Sequence, residues 1–214
     1  FHEFGHALHF FAADVKYPTL QGGVRDYTEF QSQLLERWLS TDKVINQFLV
    51  HHETGKPMPK ALVEKIKKAS TFNQGFATTE YLASALIDMK LHLADPTNID
   101  IDTFERETLK ELGMPKELPM RHRTPHFGHV FSGEGYATAY YGYMWADVLT
   151  SDASEAFKEA PDGFYDKTVA EKLVTYLFAP RNAMDPAEAY RKFRGRDATI
   201  DALMRDRGFP VPKD

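Results

Sequence analysis

Two histidines near the start of the chain have the spacing of a metal site. The chain opens FHEFGHALHF, in which His2, Glu3 and His6 form the pattern H-E-x-x-H. Residues four apart lie one turn apart on the same helix face, so both imidazoles can bind one cation. Glu3 is rotated by about 100° from His2, which favours a general base acting on water. The pattern predicts a catalytic zinc site. A helix that merely carries surface histidines is the alternative, and His9 is expected to pack.

A polar stripe further along the chain offers a third ligand. Asp26, Glu29, Gln33 and Glu36 follow one another at i, i+3, i+7 and i+10, so they share one face of a helix. The stripe contains no lysine or arginine, which fits an ordinary solvated face poorly. Either Glu29 or Glu36 would bind the metal, and Asp26 or the other glutamate would hold a histidine in the right tautomer. A solvated helix face is the alternative.

A segment rich in histidine and tyrosine supplies hydrogen-bond donors. Residues 122–143 contain three histidines and four tyrosines, and the three glycines that precede Tyr136 give the backbone freedom there. Tyrosine hydroxyls and imidazole N–H groups can donate to a carbonyl oxygen as it becomes an oxyanion. Tyr136, Tyr140 and Tyr143, at i, i+4 and i+7, are expected to share one helix face. Residues 121–143 are therefore a candidate substrate loop, and an aromatic core stripe is the alternative.

Apolar residues recur at helical spacing along most of the sequence, so helices are expected to position these candidate residues. The predicted helices cover residues 1–13, 26–40, 42–53, 59–69, 78–94, 102–112, 136–160, 166–178 and 197–207, with another that starts at Asp185-Pro186. The stretch TLQGGVRD predicts a small β-hairpin around Gly22-Gly23. Residues 113–135 are expected to be irregular. The predicted fold class is mainly α.

Composition limits the function classes. The net charge is −5 with 27% charged residues, and this acidic excess argues against a nucleic-acid surface. No run of 18 apolar residues occurs, so no transmembrane helix and no membrane partner are expected. The chain has no cysteine, which fits a reducing compartment such as the cytoplasm. Any metal must therefore be held by histidine, aspartate or glutamate.

Four stretches together resemble the thimet oligopeptidase family of zinc peptidases, and most of all its bacterial dipeptidyl carboxypeptidase branch. They are FHEFGHALH, RDYTEFQSQLLERW, ASTFNQGFATTEYLASALIDM and HFGHVFSGEGYATAYYGYMW. The similarity extends over essentially all 214 residues. It implies that residues 1–214 are the zincin-like, C-terminal catalytic segment of a larger clam-like peptidase with two helical lobes. The N-terminal lobe would then be the missing partner of this segment.

The resemblance also implies roles for individual residues. His2, His6 and Glu29 would bind one zinc ion, and Glu3 would be the catalytic glutamate. The other implied assignments are His129 and Tyr143 in transition-state stabilisation, Tyr136, Tyr140 and Arg25 in substrate binding, and Asp26 and Glu36 in orienting the ligands. One departure is Gln31, which stands where the family commonly has proline. This difference affects local helix geometry but no ligand.

The resemblance implies hydrolysis of short peptides with release of C-terminal dipeptides. An endo-acting oligopeptidase with the same site is one alternative, and a non-catalytic helical module that keeps the motif as scaffold is another. Because His2 would lie in the fraying first turn of its helix, the sequence is expected to be a portion of a longer protein.

Overall fold

The computed structural model describes residues 1–211, and helices make up most of them. The α-helices are α1 (His2–Phe11), α2 (Phe30–Glu36), α3 (Asp42–Phe48), α4 (Lys60–Ser70), α5 (Gln74–Leu93), α6 (Ile101–Glu111), α7 (Gly128–Phe131), α8 (Gly142–Lys158), α9 (Lys167–Lys172), α10 (Pro186–Arg194) and α11 (Asp201–Asp206). A π-helical segment, Leu173–Phe178, continues α9. The β-pairing found in residues 1–211 is one isolated bridge between Val50 and Pro57. The mainly α prediction is therefore confirmed.

The chain forms two compact units. The first comprises Phe1–Phe72 and the chain from Met144 onward, and the second comprises Asn73–Tyr143. Within the described part of the chain, no helix has both the length and the apolar character needed to cross a lipid bilayer.

The core of the first unit fixes α2 in place. Phe30 and Leu34 of α2 are almost fully buried, as is Phe157 of α8. The indole ring of Trp38 lies edge-on to the Phe157 ring, and its N–H donates to the carbonyl of Phe164 over 2.9 Å. Burying side chains of this size stabilises a fold by about 1.5–3 kcal/mol each. The position of Glu29, which directly precedes α2, is therefore fixed by the core.

The second unit has a smaller core and two buried carboxylates. Ala83 and Ile87 of α5 pack with Met120. Glu105 of α6 is buried, and its Oε2 accepts from both the backbone N–H and the hydroxyl of Thr124 over 3.0 Å each. This pairing anchors the start of the histidine- and tyrosine-rich segment to α6. The other carboxylate, Asp88, holds the end of that segment.

The hairpin predicted around Gly22-Gly23 is wrong. Pro18–Gln21 forms a 3₁₀ turn, and Arg25–Tyr27 forms the next one. The guanidinium of Arg181 donates from Nε to the carbonyl of Gln21 over 2.9 Å. A distant side chain therefore takes the acceptor that a hairpin ladder would have needed.

The single helix predicted over residues 26–40 is divided into three parts. The 3₁₀ turn Arg25–Tyr27 comes first, α2 follows, and a second 3₁₀ turn covers Arg37–Ser40. Glu29 is the N-cap residue of α2, with φ −95° and ψ 0°. The hydroxyl of Ser32 donates to the Glu29 carbonyl over 3.0 Å, and such side-chain bonds compete with the regular helical pattern.

The predicted helix over residues 136–160 begins later, at Gly142. Thr138 has a φ of +59°, which ends any helical path through this stretch. Tyr136 lies in the 3₁₀ turn Glu134–Tyr136, and Tyr143 lies in α8. The expectation that Tyr136, Tyr140 and Tyr143 share one face of a helix is therefore wrong. Asp88 imposes the different path by accepting backbone N–H groups from this turn.

Candidate active site

Gly5 allows the two helices that carry the metal-binding candidates to meet. It is the buried residue of α1, and a Cβ atom there would lie 2.5 Å from the Gln31 carbonyl oxygen and 2.6 Å from the Ser32 Cα. Both of these atoms belong to the backbone of α2, so neither can move aside as a side chain can. The absence of a Cβ at Gly5 therefore lets α1 pack directly on α2 and brings Glu29 next to the two histidines.

Three donor atoms lie within bonding reach of one ion. The Oε2 atom of Glu29 is 3.2 Å from His2 Nε2 and 3.5 Å from His6 Nε2. Donor atoms of these three partly buried residues all lie within 4.8 Å of one another. A tetrahedral ion with bonds of about 2.0–2.1 Å holds neighbouring ligand atoms ~3.3 Å apart. The spacing and the chemistry of the donors therefore fit one divalent metal ion.

Glu36 contacts the other nitrogen of His2. Its Oε1 lies 2.6 Å from His2 Nδ1. A carboxylate at Nδ1 keeps the proton on that nitrogen and leaves Nε2 as the electron-pair donor. The polar stripe left open whether Glu29 or Glu36 is the third ligand candidate. In the structure, Glu29 faces the Nε2 atoms of His2 and His6, whereas Glu36 faces the opposite side of the His2 ring.

Ser32 is a functional candidate that the sequence reasoning missed. Its side chain is fully buried, and its hydroxyl lies 3.0 Å from both the carbonyl oxygen and Oε2 of Glu29. A hydroxyl that shares its proton between the backbone carbonyl and a ligand carboxylate restricts the rotation of that carboxylate. The sequence did contain a signal for this contact, because Ser32 follows Glu29 by three residues and so lies on the same helix face.

Glu3 is exposed on α1, and within residues 1–211 its carboxylate has no hydrogen-bond or ion-pair partner. A carboxylate in this state can accept a proton from water without first breaking another contact. Arg25 and Asp26 lie on the turn just before Glu29. His9 does not belong to the donor group. Burial, together with the charges of Arg181 and His6, lowers the pKa of His9 to about 3.

A second group of possible ligands, His51, His52 and Glu53, lies on an exposed turn. The Nδ1 atom of His51 accepts from the backbone N–H groups of Glu53 and Thr54 over 3.2 and 3.4 Å. A neutral imidazole that accepts at Nδ1 carries its proton on Nε2. Metal binding by His51 would have to break the turn, so this group is the poorer metal site.

In the second unit, three tyrosines of the candidate substrate loop surround the ring of His129. Its ring centroid lies 4.8 Å from that of Tyr136, 5.6 Å from that of Tyr140 and 5.7 Å from that of Tyr143. The Tyr143 hydroxyl is 3.1 Å from His129 Nε2. Burial raises the pKa of Tyr140, which keeps its hydroxyl protonated. The four residues therefore form a cluster of hydrogen-bond donors.

Asp88 positions the loop that carries these tyrosines, and sequence reasoning did not identify it. It is buried in α5, and its two carboxylate oxygens accept from the backbone N–H groups of Thr138 and Tyr140 over 3.1 Å each. The Nδ1 atom of His92 also lies 3.0 Å from Asp88 Oδ1. The signal in the sequence was a single acid within an otherwise apolar stretch of helix.

Replacing Asp88 with asparagine is expected to release the loop. The amide group of asparagine would face one of the two backbone N–H donors, and each hydrogen bond to a charged group contributes about 1.5–3 kcal/mol. Amide hydrogen exchange at Thr138 and Tyr140 should therefore become at least about tenfold faster. Glu117→Gln, on the exposed surface of the same unit, serves as the control. Unchanged exchange at both amides in Asp88→Asn would show that the carboxylate does not hold the loop.

Comparison with known proteins identifies the relatives of this chain. A family model described as peptidase family M3 matches residues 1–209. The chain is 36% identical over 97% of its length to a dipeptidyl carboxypeptidase of Salmonella typhimurium, and 34% identical over 99% to one of Escherichia coli. It is 32% identical over 97% of its length to oligopeptidase A of Escherichia coli.

The chain spans 31% of the length of each of these relatives. The family match nevertheless covers almost the whole described chain, from the H-E-x-x-H helix to the last helix. The resemblance to the thimet oligopeptidase family is therefore confirmed, and the chain belongs to peptidase family M3.

Proposed function

We propose that this chain is the catalytic segment of a zinc metallopeptidase that hydrolyses short peptides. The observation that carries the proposal is the position of Glu29 Oε2, 3.2 and 3.5 Å from the Nε2 atoms of His2 and His6. Two imidazoles and one carboxylate are a ligand set typical of catalytic zinc, which keeps its fourth position for water or substrate. The family membership supports the same function.

Glu3 is the proposed general base. A bound zinc ion would polarise the scissile carbonyl and lower the pKa of the attacking water. Glu3 takes the proton of that water as its oxygen attacks the carbonyl carbon, and then gives the proton to the leaving amine nitrogen. Glu36 holds the proton on His2 Nδ1, and Ser32 restricts Glu29 through the hydroxyl contact. Asp26 is proposed to help to orient the ligands.

His129 and Tyr143 are proposed to donate hydrogen bonds to the carbonyl oxygen as it gains negative charge. The two groups lie 3.1 Å apart, which supports this role, because both can reach one substrate oxygen once they exchange their mutual hydrogen bond for bonds to it. Tyr136 and Tyr140 are proposed to bind the peptide, and the raised pKa of Tyr140 keeps it a donor. Arg25 is proposed as a further substrate contact.

The proposed substrates are short peptides from which C-terminal dipeptides are released. Relatives named dipeptidyl carboxypeptidase support this specificity, and those named oligopeptidase A support an endo-acting alternative. The N-terminal lobe of the same protein is the proposed partner that supplies the rest of the substrate channel. Cleavage of a peptide with an amidated C-terminus, assayed with that lobe present, separates the alternatives, because a dipeptidyl carboxypeptidase loses most activity on the amide.

Metal binding tests the proposal directly. The chain is expected to bind one zinc ion, and zinc at 100 times its dissociation constant should stabilise the fold by about 2.7 kcal/mol. Glu29→Ala should weaken zinc binding by at least about 100-fold, since even residues that only support a ligand contribute 10- to 100-fold. Zinc content and thermal unfolding with and without zinc are the measurements.

Glu53→Ala is the matched control, because it removes a carboxylate from the exposed histidine turn. That variant should bind zinc as the wild type does. If the wild-type chain binds no zinc and Glu29→Ala leaves its zinc-dependent melting temperature unchanged, the proposal fails. The alternative, a non-catalytic helical module that keeps the motif as scaffold, would then be favoured.

A further inference from the structure

A partly enclosed cavity of about 240 Å³ adjoins the proposed metal site within the first unit. The residues around it that carry polar groups are His6, His9, Tyr27, Thr28, Tyr176 and Arg181. Pockets for drug-sized ligands measure about 300–1,000 Å³, so this space suits one terminal residue of a peptide. Because His6 belongs to both features, a group in the cavity would lie beside the scissile bond.

The charge in this cavity is unbalanced. Arg181 is the cation that lines it, and no carboxylate lies among the lining residues. Burial lowers the pKa of the Arg181 guanidinium, and no carboxylate in residues 1–211 counteracts that shift. A cation that has lost part of its hydration without gaining a counter-charge is costly. His9 stays neutral, since its pKa is about 3, so an anion in the cavity would meet one net positive charge.

The backbone at Arg181 is also unusual. Its φ is +49°, in the region that residues with a side chain rarely adopt. Its guanidinium donates to the Gln21 carbonyl from Nε over 2.9 Å and from Nη2 as well. This pairing fixes the direction of the side chain, and within residues 1–211 it leaves the Nη1 donors without a hydrogen-bond partner. Non-glycine residues held in such conformations cluster at binding and catalytic sites.

We propose that Arg181 and the cavity beside His6 form a subsite that binds a carboxylate of the peptide substrate. The inference rests on the proposed peptidase function and assigns one specificity-determining residue to it. A guanidinium pairs with a carboxylate in a planar, two-pronged geometry. The carboxylate is either the C-terminal group of the peptide or an acidic side chain, and these two sources can be separated experimentally.

Binding of dipeptides to the zinc-loaded protein, followed by calorimetry, tests the subsite. Glycyl-phenylalanine is expected to bind at least about tenfold more tightly than its amide, since a partly buried guanidinium donates stronger hydrogen bonds to a charged carboxylate than to a neutral amide. Arg181→Gln should remove this preference. Glycyl-aspartate amide and glycyl-asparagine amide form the second pair of ligands, and a preference for the aspartate within this pair identifies a side-chain carboxylate as the bound group.

Three further variants keep the test decisive. Arg181→Lys retains the charge and should keep part of the preference. Arg181→Gly adopts a positive φ without strain and should lose the preference even if Arg181→Gln folds poorly. Arg191→Gln removes an exposed arginine that pairs with Asp197 and should change nothing.

The inference is overturned if the wild type does not distinguish acid from amide in either pair, or if the preference survives in both Arg181→Gln and Arg181→Gly. Zinc content and cleavage of an unblocked peptide, with the N-terminal lobe present, are measured on the same samples. If the wild type binds no zinc or does not cleave the peptide, the proposed function is contradicted. If the wild type cleaves the peptide but Arg181 has no effect on binding, only this inference is contradicted.

Discussion

Replacing Glu3 with glutamine is expected to lower kcat/KM for peptide cleavage by about 10²- to 10⁴-fold, the usual contribution of a general base. Glutamine has nearly the same shape as glutamate but cannot accept the proton of the attacking water. Glu3 has no hydrogen-bond or ion-pair partner within residues 1–211, so its replacement should leave the fold unchanged. Steady-state kinetics, with the proposed N-terminal lobe present, and zinc analysis of the same protein give the result.

The ratio of activity to bound zinc is the informative quantity. Glu3→Gln should retain one zinc ion per chain and lose activity, whereas Glu29→Ala should lose both. Glu36→Gln provides an intermediate case, because it weakens the contact to His2 Nδ1 without removing a proposed ligand; a 10- to 100-fold loss of zinc affinity is expected. Near-normal turnover by Glu3→Gln would assign the general base to another group.

Replacing Gly5 with alanine is expected to destabilise the fold by about 2 kcal/mol or more. Alanine favours a helix over glycine by about 0.8–1 kcal/mol, which would by itself be stabilising. The added Cβ, however, would lie 2.5 and 2.6 Å from backbone atoms of α2. Overpacking costs about 1–3 kcal/mol where side chains can adjust. Because the atoms that the new Cβ would meet belong to the backbone, the cost at Gly5 should lie at the upper end of that range or above it.

The same substitution should also weaken zinc binding, because separating α1 from α2 moves Glu29 away from His2 and His6. Thermal unfolding with zinc and with a chelator measures both effects. Gly22→Ala is the control: its φ is −59°, and an added Cβ there would have no neighbour within 4 Å. A Gly5→Ala protein as stable as Gly22→Ala would mean that the two helices do not need this close approach.

Some of the candidate site follows from local sequence. The i, i+4 spacing of His2 and His6 is a property of any α-helix, and the structure contains that helix as His2–Phe11. The mainly α class likewise follows from apolar periodicity, which depends on neighbours along the chain. The family resemblance depends on four motifs that are read directly from the residues, and the match to residues 1–209 agrees with it.

Contacts between distant residues decided the rest. The polar stripe presented Glu29 and Glu36 as equivalent candidates, and only the crossing of α1 and α2 at Gly5 placed Glu29 at the Nε2 atoms and Glu36 at Nδ1. Helical spacing predicted a shared face for Tyr136, Tyr140 and Tyr143. That prediction failed because a carboxylate about 50 residues earlier in the chain, Asp88, accepts two backbone N–H groups of the turn.

The sequence by itself therefore determined the candidate groups, which are two imidazoles and a carboxylate at helical spacing, and the family to which the chain belongs. The tertiary structure decided which second carboxylate faces the imidazoles, how the tyrosines gather around His129, and where Arg181 lies. The physical reason is that periodicity specifies only which residues share one helix. Partners from different segments are set by backbone approach and by buried hydrogen bonds, which depend on residues far apart in the chain.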